Sequence, residues 1–144
     1  MPSKKTRTRA RKALREGKSP STAAGEYVHE EIEHIREGKH GARSTKQAIA
    51  IGLAKARRAG VPLKPPRRGT TSERTRKSAV RAYAAGRKKK RGTPSKRRSR
   101  AMLRRLKREP RSVVSRKALS RQARRTAAAA RATRAANRSR ARRS

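Results

Sequence analysis

Two histidines and the glutamates beside them are the side chains best suited to metal or acid–base chemistry. His29 and His34 are five positions apart, whereas a zinc-protease helix needs two histidines four apart, on one face. On a helix these two side chains would point about 140° apart. Glu31-x-x-His34 has the spacing of half a di-iron carboxylate site, which needs a second such pair and two further glutamates. The sequence therefore predicts no metal site and no bound cofactor.

Nucleophilic catalysis lacks its usual residues in this chain. There is no cysteine and no aspartate, and no G-x-S-x-G, P-loop or G-x-G-x-x-G pattern occurs. Serine and threonine are abundant, but they lie in Arg/Lys-rich stretches without a neighbouring base. We therefore predict that the chain is not an enzyme and has no catalytic residue.

Basic side chains indicate a different chemistry, the binding of phosphate. The 144 residues include 47 Lys or Arg against 8 Glu, which gives a net charge of +39, and Arg outnumbers Lys 32 to 15. The planar guanidinium of Arg suits phosphate, and so high a charge either meets a polyanion or expands the chain. Only Tyr27 and Tyr83 are aromatic, too few for a surface that stacks the bases of single strands. The favoured partner is duplex DNA, bound through phosphates with little sequence preference, as in histone-like, nucleoid-associated proteins.

The alternatives to duplex DNA concern RNA, proteins and membranes. An RNA-binding or ribosome-associated protein remains open, because ribosomal proteins are also rich in Arg and Lys. A protein-interaction module with a basic localising tail is the other alternative. A membrane partner is not expected, because no stretch approaches about 20 apolar residues. The expected location is the cytoplasm, at the nucleoid.

The basic charge is concentrated in the second half of the chain. Residues 67–144 carry 31 basic and 2 acidic side chains, net +29. The predicted nucleic-acid contacts are Arg57, Arg58, Arg67, Arg68, Arg87, Lys88, Lys89, Lys90, Arg91, Lys96, Arg97, Arg98, Arg104, Arg105, Arg124 and Arg125.

An acidic window interrupts this pattern, because residues 21–38 hold five of the eight Glu and one Arg. The window predicts a helix that Ser21 or Thr22 caps and Gly38 ends. Its glutamates could pair with Arg43, Arg57, Arg58 or the basic tail. The acidic helix over 22–37 could equally bind a protein partner or be merely solvated.

A second helix is predicted over 44–60, where the capping box Ser44-Thr45-Lys46-Gln47 starts it and Gly60 ends it. The apolar residues of both helices recur at helical spacing. We therefore expect an antiparallel helical hairpin over 21–61. Its predicted core consists of Val28, Ile32, Ile35, Ile49 and Leu53.

The rest of the chain has few large apolar residues, since Ile, Leu and Val total 15 while Ala alone numbers 25. Such a composition favours disorder. The predicted fold is mostly α with extensive disorder: a small antiparallel helical hairpin, further basic helices, and an extended basic arm and tail. The predicted regions are a disordered arm over 1–20, the hairpin over 21–61, a Pro-rich linker over 62–71, a third helix over 72–86, and a basic Ala/Arg-rich tail over 87–144. Within that tail, Thr93 and Pro94 indicate a helix start, and helices there are expected to form on binding.

Residues 21–66 resemble a family of small basic bacterial proteins of uncharacterised function, loosely described as DNA-binding or histone-like. The resemblance rests on Gly25-Glu26-Tyr27-Val28-His29-Glu30-Glu31-Ile32 and on the K-Q-A-I-A-I-x-L-x-x-A-R-R-A-G pattern of residues 46–60. It implies a bacterial source and a helical unit over 44–60, and it supplies no binding or catalytic residues. The Ala/Lys/Arg tail is similar in composition to linker-histone-like tails.

Overall fold

The computed structural model describes residues 1–88, 93 and 95–142, and these residues form six α-helices and one 3₁₀ turn without any strand. The mostly α prediction is thereby confirmed, whereas the extensive disorder is replaced by ordered helices. The elements are α1 (Lys4–Arg15), α2 (Pro20–Arg36), α3 (Thr45–Arg58), α4 (Glu73–Arg87), α5 (Lys96–Lys107), the 3₁₀ turn (Ser112–Val114) and α6 (Arg116–Ala141).

Each of the six α-helices begins directly after a serine. The serine hydroxyl accepts a hydrogen bond from the backbone N–H three positions on, which satisfies one of the free donors of the first turn. The six capping residues are Ser3, Ser19, Ser44, Ser72, Ser95 and Ser115. Because these signals are local, the predicted boundaries of α2, α3 and α4 are close to the observed ones. The cap of α2 is Ser19, not Ser21 or Thr22, and α5 is capped by Ser95, not Thr93; Pro94 lies outside the described residues.

Helices α2 and α3 form the predicted antiparallel hairpin. Ala24, early in α2, shares a buried cluster with Ala56, late in α3. Ile35, late in α2, shares the other with Ala48, early in α3, so the residue number falls along one helix as it rises along the other. A Cβ atom on Gly52 would lie 2.6 Å from Cα of Val28. The two backbones therefore approach more closely than any larger side chain at position 52 would allow.

The core is built mainly from alanine, which corrects the predicted core. Of the five predicted residues only Ile35 is fully buried; Val28, Ile32, Ile49 and Leu53 are half-buried. One buried cluster consists of Ala10, Ala13, Ala23, Ala24, Tyr27, Ala56 and Val61, and a second consists of Ile35, Ala42, Ala48 and Val114. Small side chains place the helices so close that the longer aliphatic side chains lie at the margins of the contact.

The predicted disordered arm over 1–20 is instead helix α1, packed on α2. Thr6, Ala10 and Ala13 recur at helical spacing, and all three are buried. The backbone N–H of Ser3 donates to Oε1 of Glu30 at 2.7 Å. The small residues on one face of α1 and the Glu30 carboxylate on α2 thus hold α1 in place. The basic charge of residues 1–20 alone had suggested an extended chain.

The C-terminal half is anchored to the hairpin at the loop between α2 and α3. The N–H groups of Gly41 and Ala42 donate to the carbonyls of Leu106 and Pro110, at 2.8 and 3.0 Å. The hydroxyl of Thr45 donates to the Val113 carbonyl at 2.6 Å, and Val114 is fully buried in the second cluster. By contrast, neither α5 nor α6 buries a residue. The region predicted as a tail therefore contains two exposed helices. The segment between them, residues 108–115, packs against the loop between α2 and α3, and we call it the connector.

Candidate nucleic-acid interface

Most of the predicted nucleic-acid contacts lie on the surface. Exposed side chains belong to Arg58, Arg67, Arg68, Arg87, Lys88, Lys96, Arg97, Arg98, Arg104, Arg105, Arg124 and Arg125. Lys89, Lys90 and Arg91 lie outside the described residues. Arg87 also contacts Tyr83, with its guanidinium carbon 5.4 Å from the ring centroid and a hydrogen bond of 3.0 Å to the phenol oxygen.

Arg57 is the exception, and its assignment as a phosphate contact is corrected. Its side chain is only 7% exposed, and its guanidinium donates to the carbonyls of Leu63 and Lys64 at 3.2 and 3.4 Å. Burial lowers the pKa of this guanidinium from its ordinary value. Arg57 thus fastens the Pro-rich linker to the end of α3, where a phosphate cannot reach it.

Arg57 and its exposed neighbour Arg58 should therefore respond differently to the same substitution. We expect Arg57→Gln to lower the free energy of unfolding by about 1–3 kcal/mol, because two part-buried hydrogen bonds from a charged group, to the carbonyls of Leu63 and Lys64, are lost. Arg58→Gln should change it by less than about 0.5 kcal/mol. Urea denaturation of the two variants measures this difference, and equal stability would contradict the structural role of Arg57.

The long helix α6, with Arg142 at its C-cap, concentrates its charge on one face. Residues 116–142 contain ten basic side chains and no acidic one. At 3.6 residues per turn, eight of the ten fall within an arc of about 140°, over a length of about 39 Å. We call this set the basic face; its members are Arg116, Lys117, Arg121, Arg124, Arg131, Arg134, Arg138 and Arg142. Arg125 and Arg140 project outside this arc.

The sequence prediction named Arg124 of this face individually and assigned the other seven members only collectively, to the basic tail; it did not identify the common face. The signal was available, because a helical projection of residues 116–142 aligns them. The face was not identified because helices in the tail were expected to form only on binding, since arginines four positions apart repel each other in a free helix. High intrinsic propensity of Ala and Arg, a long uninterrupted run and the Ser115 cap favour the observed helix.

Helix α5 is also basic, but it has a second, apolar side. Seven of its twelve residues are Lys or Arg. On the other side of the helix lie Met102, Leu103 and Leu106, of which Met102 is 54% exposed and Leu103 43%. Helix α5 contains no acidic residue, so it is a second basic helix beside α6 in sequence, but one with an exposed apolar side.

The acidic residues of α2 are used mainly inside the fold. Glu30 accepts from Ser3, Glu31 forms an ion pair with Lys55, and Glu26 lies 3.9 Å from Arg9. Burial alone would raise the pKa of Glu30, but the bonds from Ser3, with His34 and Lys55 nearby, outweigh it and the pKa is lowered. The predicted partners Arg43, Arg57 and Arg58 form none of these ion pairs. The two most buried carboxylates are thus closed to a protein partner.

No family model, curated protein or solved structure matches this chain. The resemblance of residues 21–66 to a bacterial family therefore stays a prediction. Among the helices of the described ranges, none combines the length and the apolar character needed to cross a membrane.

Proposed function

We propose that this chain binds duplex DNA non-specifically through phosphates, as a nucleoid-associated protein, with the basic face of α6 as its main contact surface. The observation that carries the proposal is the alignment of eight cations on one side of an exposed helix. None of the eight forms an ion pair within the described part of the chain. Such a surface fits a linear array of phosphates, and the proposal includes no catalytic step.

The shape of α6 favours duplex DNA over duplex RNA. An α-helix with its side chains is about 10–12 Å across, which matches the major groove of B-DNA at about 12 Å. The major groove of A-form RNA is too deep and narrow for side chains to read. A straight basic helix of about 39 Å can therefore approach both phosphate strands of a DNA groove.

Two double variants with equal loss of charge test the basic face. Arg124→Gln with Arg138→Gln removes two cations from the face, and Arg125→Gln with Arg140→Gln removes two from outside it. Each phosphate contact contributes about 0.9 to the slope of log K against log salt. We expect the first variant to reduce that slope by about 1.8 and the second to leave it nearly unchanged, measured by fluorescence anisotropy on duplex DNA.

Equal reductions by the two variants would overturn the assignment of the face. A competition assay, in which duplex DNA and structured RNA of equal charge compete for the chain, distinguishes DNA binding from the RNA-binding alternative. Preference for the RNA would replace the DNA proposal, whereas preference for the duplex DNA supports it.

A further inference from the structure

Three potential metal ligands meet where α2 runs into the loop that follows it. Glu31 and His34 lie one turn apart on α2, and His40 lies in the loop before α3. Their ligand atoms all lie within 4.8 Å of one another. Glu31 is 1% exposed and His40 8%, while His34 is half-buried. The sequence spacing predicts that Glu31 and His34 lie close together on one helix. His40 lies near them only because the chain turns after α2.

The hydrogen bonding of His40 leaves two hydrogen-bond acceptors, Nε2 of His40 and Oε1 of Glu31, facing each other. Nδ1 of His40 lies 2.9 Å from the carbonyl oxygen of Gly41, which can only accept, so Nδ1 carries the proton. In the neutral ring Nε2 then has a lone pair, and it lies 3.0 Å from Oε1 of Glu31. That oxygen is buried and accepts no hydrogen bond from the described residues. Two electron-rich atoms this close call for a cation or a proton between them.

From this cluster we propose that Glu31, His34 and His40 bind a divalent transition metal of the Zn²⁺ class. Two imidazoles and one carboxylate form a ligand set common for Zn²⁺, with the fourth position left to water. Hard cations such as Mg²⁺ prefer oxygen ligands. A backbone carbonyl that holds the Nδ1 proton of a histidine is the usual support for a metal-binding Nε2.

Binding requires small movements of the ligand atoms. Tetrahedral Zn²⁺ with bonds of about 2.0–2.2 Å places its ligand atoms about 3.4 Å apart. Nε2 of His40 and Oε1 of Glu31 are 3.0 Å apart and must separate slightly, while all the ligand atoms lie within 4.8 Å of one another. The half-buried side chain of His34 and the loop position of His40 can supply this movement. Lys55 pairs with Oε2 of Glu31, which leaves Oε1 for the metal.

The metal would join α2 to the loop that holds the C-terminal half. His40 immediately precedes Gly41 and Ala42, whose N–H groups bind the carbonyls of Leu106 and Pro110. Metal binding is therefore expected to stabilise the loop on which the connector to α5 and α6 docks. This role is independent of DNA binding.

The test uses the full chain after chelator treatment, titrated with Zn²⁺ by calorimetry and with Co²⁺ by visible absorption. We expect one ion per chain, a rise in Tm with Zn²⁺ and none with Mg²⁺. His34→Ala and His40→Ala should each weaken binding 10-fold or more, as loss of a direct ligand exceeds loss of a supporting group. His29→Ala removes the remaining, exposed histidine and should bind as the unaltered chain does.

Three results would overturn the proposal. These are no saturable binding by the unaltered chain, binding that survives both His34→Ala and His40→Ala, or an equal loss in His29→Ala. The Co²⁺ spectrum of the unaltered chain decides the matter even if a variant fails to fold, because four-coordinate ligation by imidazole changes it. An unchanged spectrum would assign the space between His40 and Glu31 to a proton.

Discussion

Raising the salt concentration from 50 to 200 mM should weaken binding of the full chain to duplex DNA by about 10⁴-fold. Eight phosphate contacts from the basic face predict a slope of log K against log salt of about −7. A fourfold change in salt then gives this loss of affinity, within the range of 10³–10⁵ for six to ten contacts. Anisotropy titrations at four or more salt concentrations measure the slope.

A fall of less than tenfold over the same range would contradict a phosphate-driven mode of binding. Scrambled duplexes of equal length serve as the control, and their slopes should agree. The full chain is needed for this measurement, because a fragment of residues 1–66 would lack Val114, which completes the second core cluster.

Replacing Gly52 by alanine should destabilise the fold, whereas the same change at Gly25 should stabilise it. At position 52 the new methyl group would meet Cα of Val28 at 2.6 Å, and overpacking of this kind costs about 1–3 kcal/mol. Gly25 lies in α2 with nothing within 4 Å of a new Cβ. There alanine gains about 0.5–1 kcal/mol from helix propensity. The two variants should differ in Tm by about 5–10 °C.

Thermal unfolding monitored by circular dichroism compares these two variants. Both add one methyl group to a helix, so intrinsic propensity is matched and only packing differs. Similar Tm values for the two variants would show that α2 and α3 do not approach as closely as described.

The elements that sequence could predict are those defined by local signals. Ser44 caps α3, and Gly38 and Gly60 adopt positive φ after their helices. These features depend on a few adjacent residues, so their positions follow from the sequence. The pairing of α2 with α3 follows as well, because a short loop joins two helices with apolar faces.

The sequence could not predict the burial of two kinds of residue. These are residues whose position depends on contacts distant in sequence, and alanines, which occur both in the core and on the surface. Ala10 and Ala48 are buried while Ala129 is exposed, and nothing in the residue type distinguishes them. Arg57 lies inside and Arg58 outside because of the linker that folds back over one of them. His40 reaches Glu31 only because of the turn between α2 and α3.

The alanine core also explains how so basic a chain can fold with only 15 large aliphatic residues. Burial of an Ile or Leu side chain costs about 0.5–1 kcal/mol in lost rotamer entropy, whereas alanine loses none. An interface of alanine and glycine therefore removes apolar surface from water while few side-chain rotamers become fixed. The long arginine side chains of α6 remain exposed, so they keep their rotamer freedom in the folded chain.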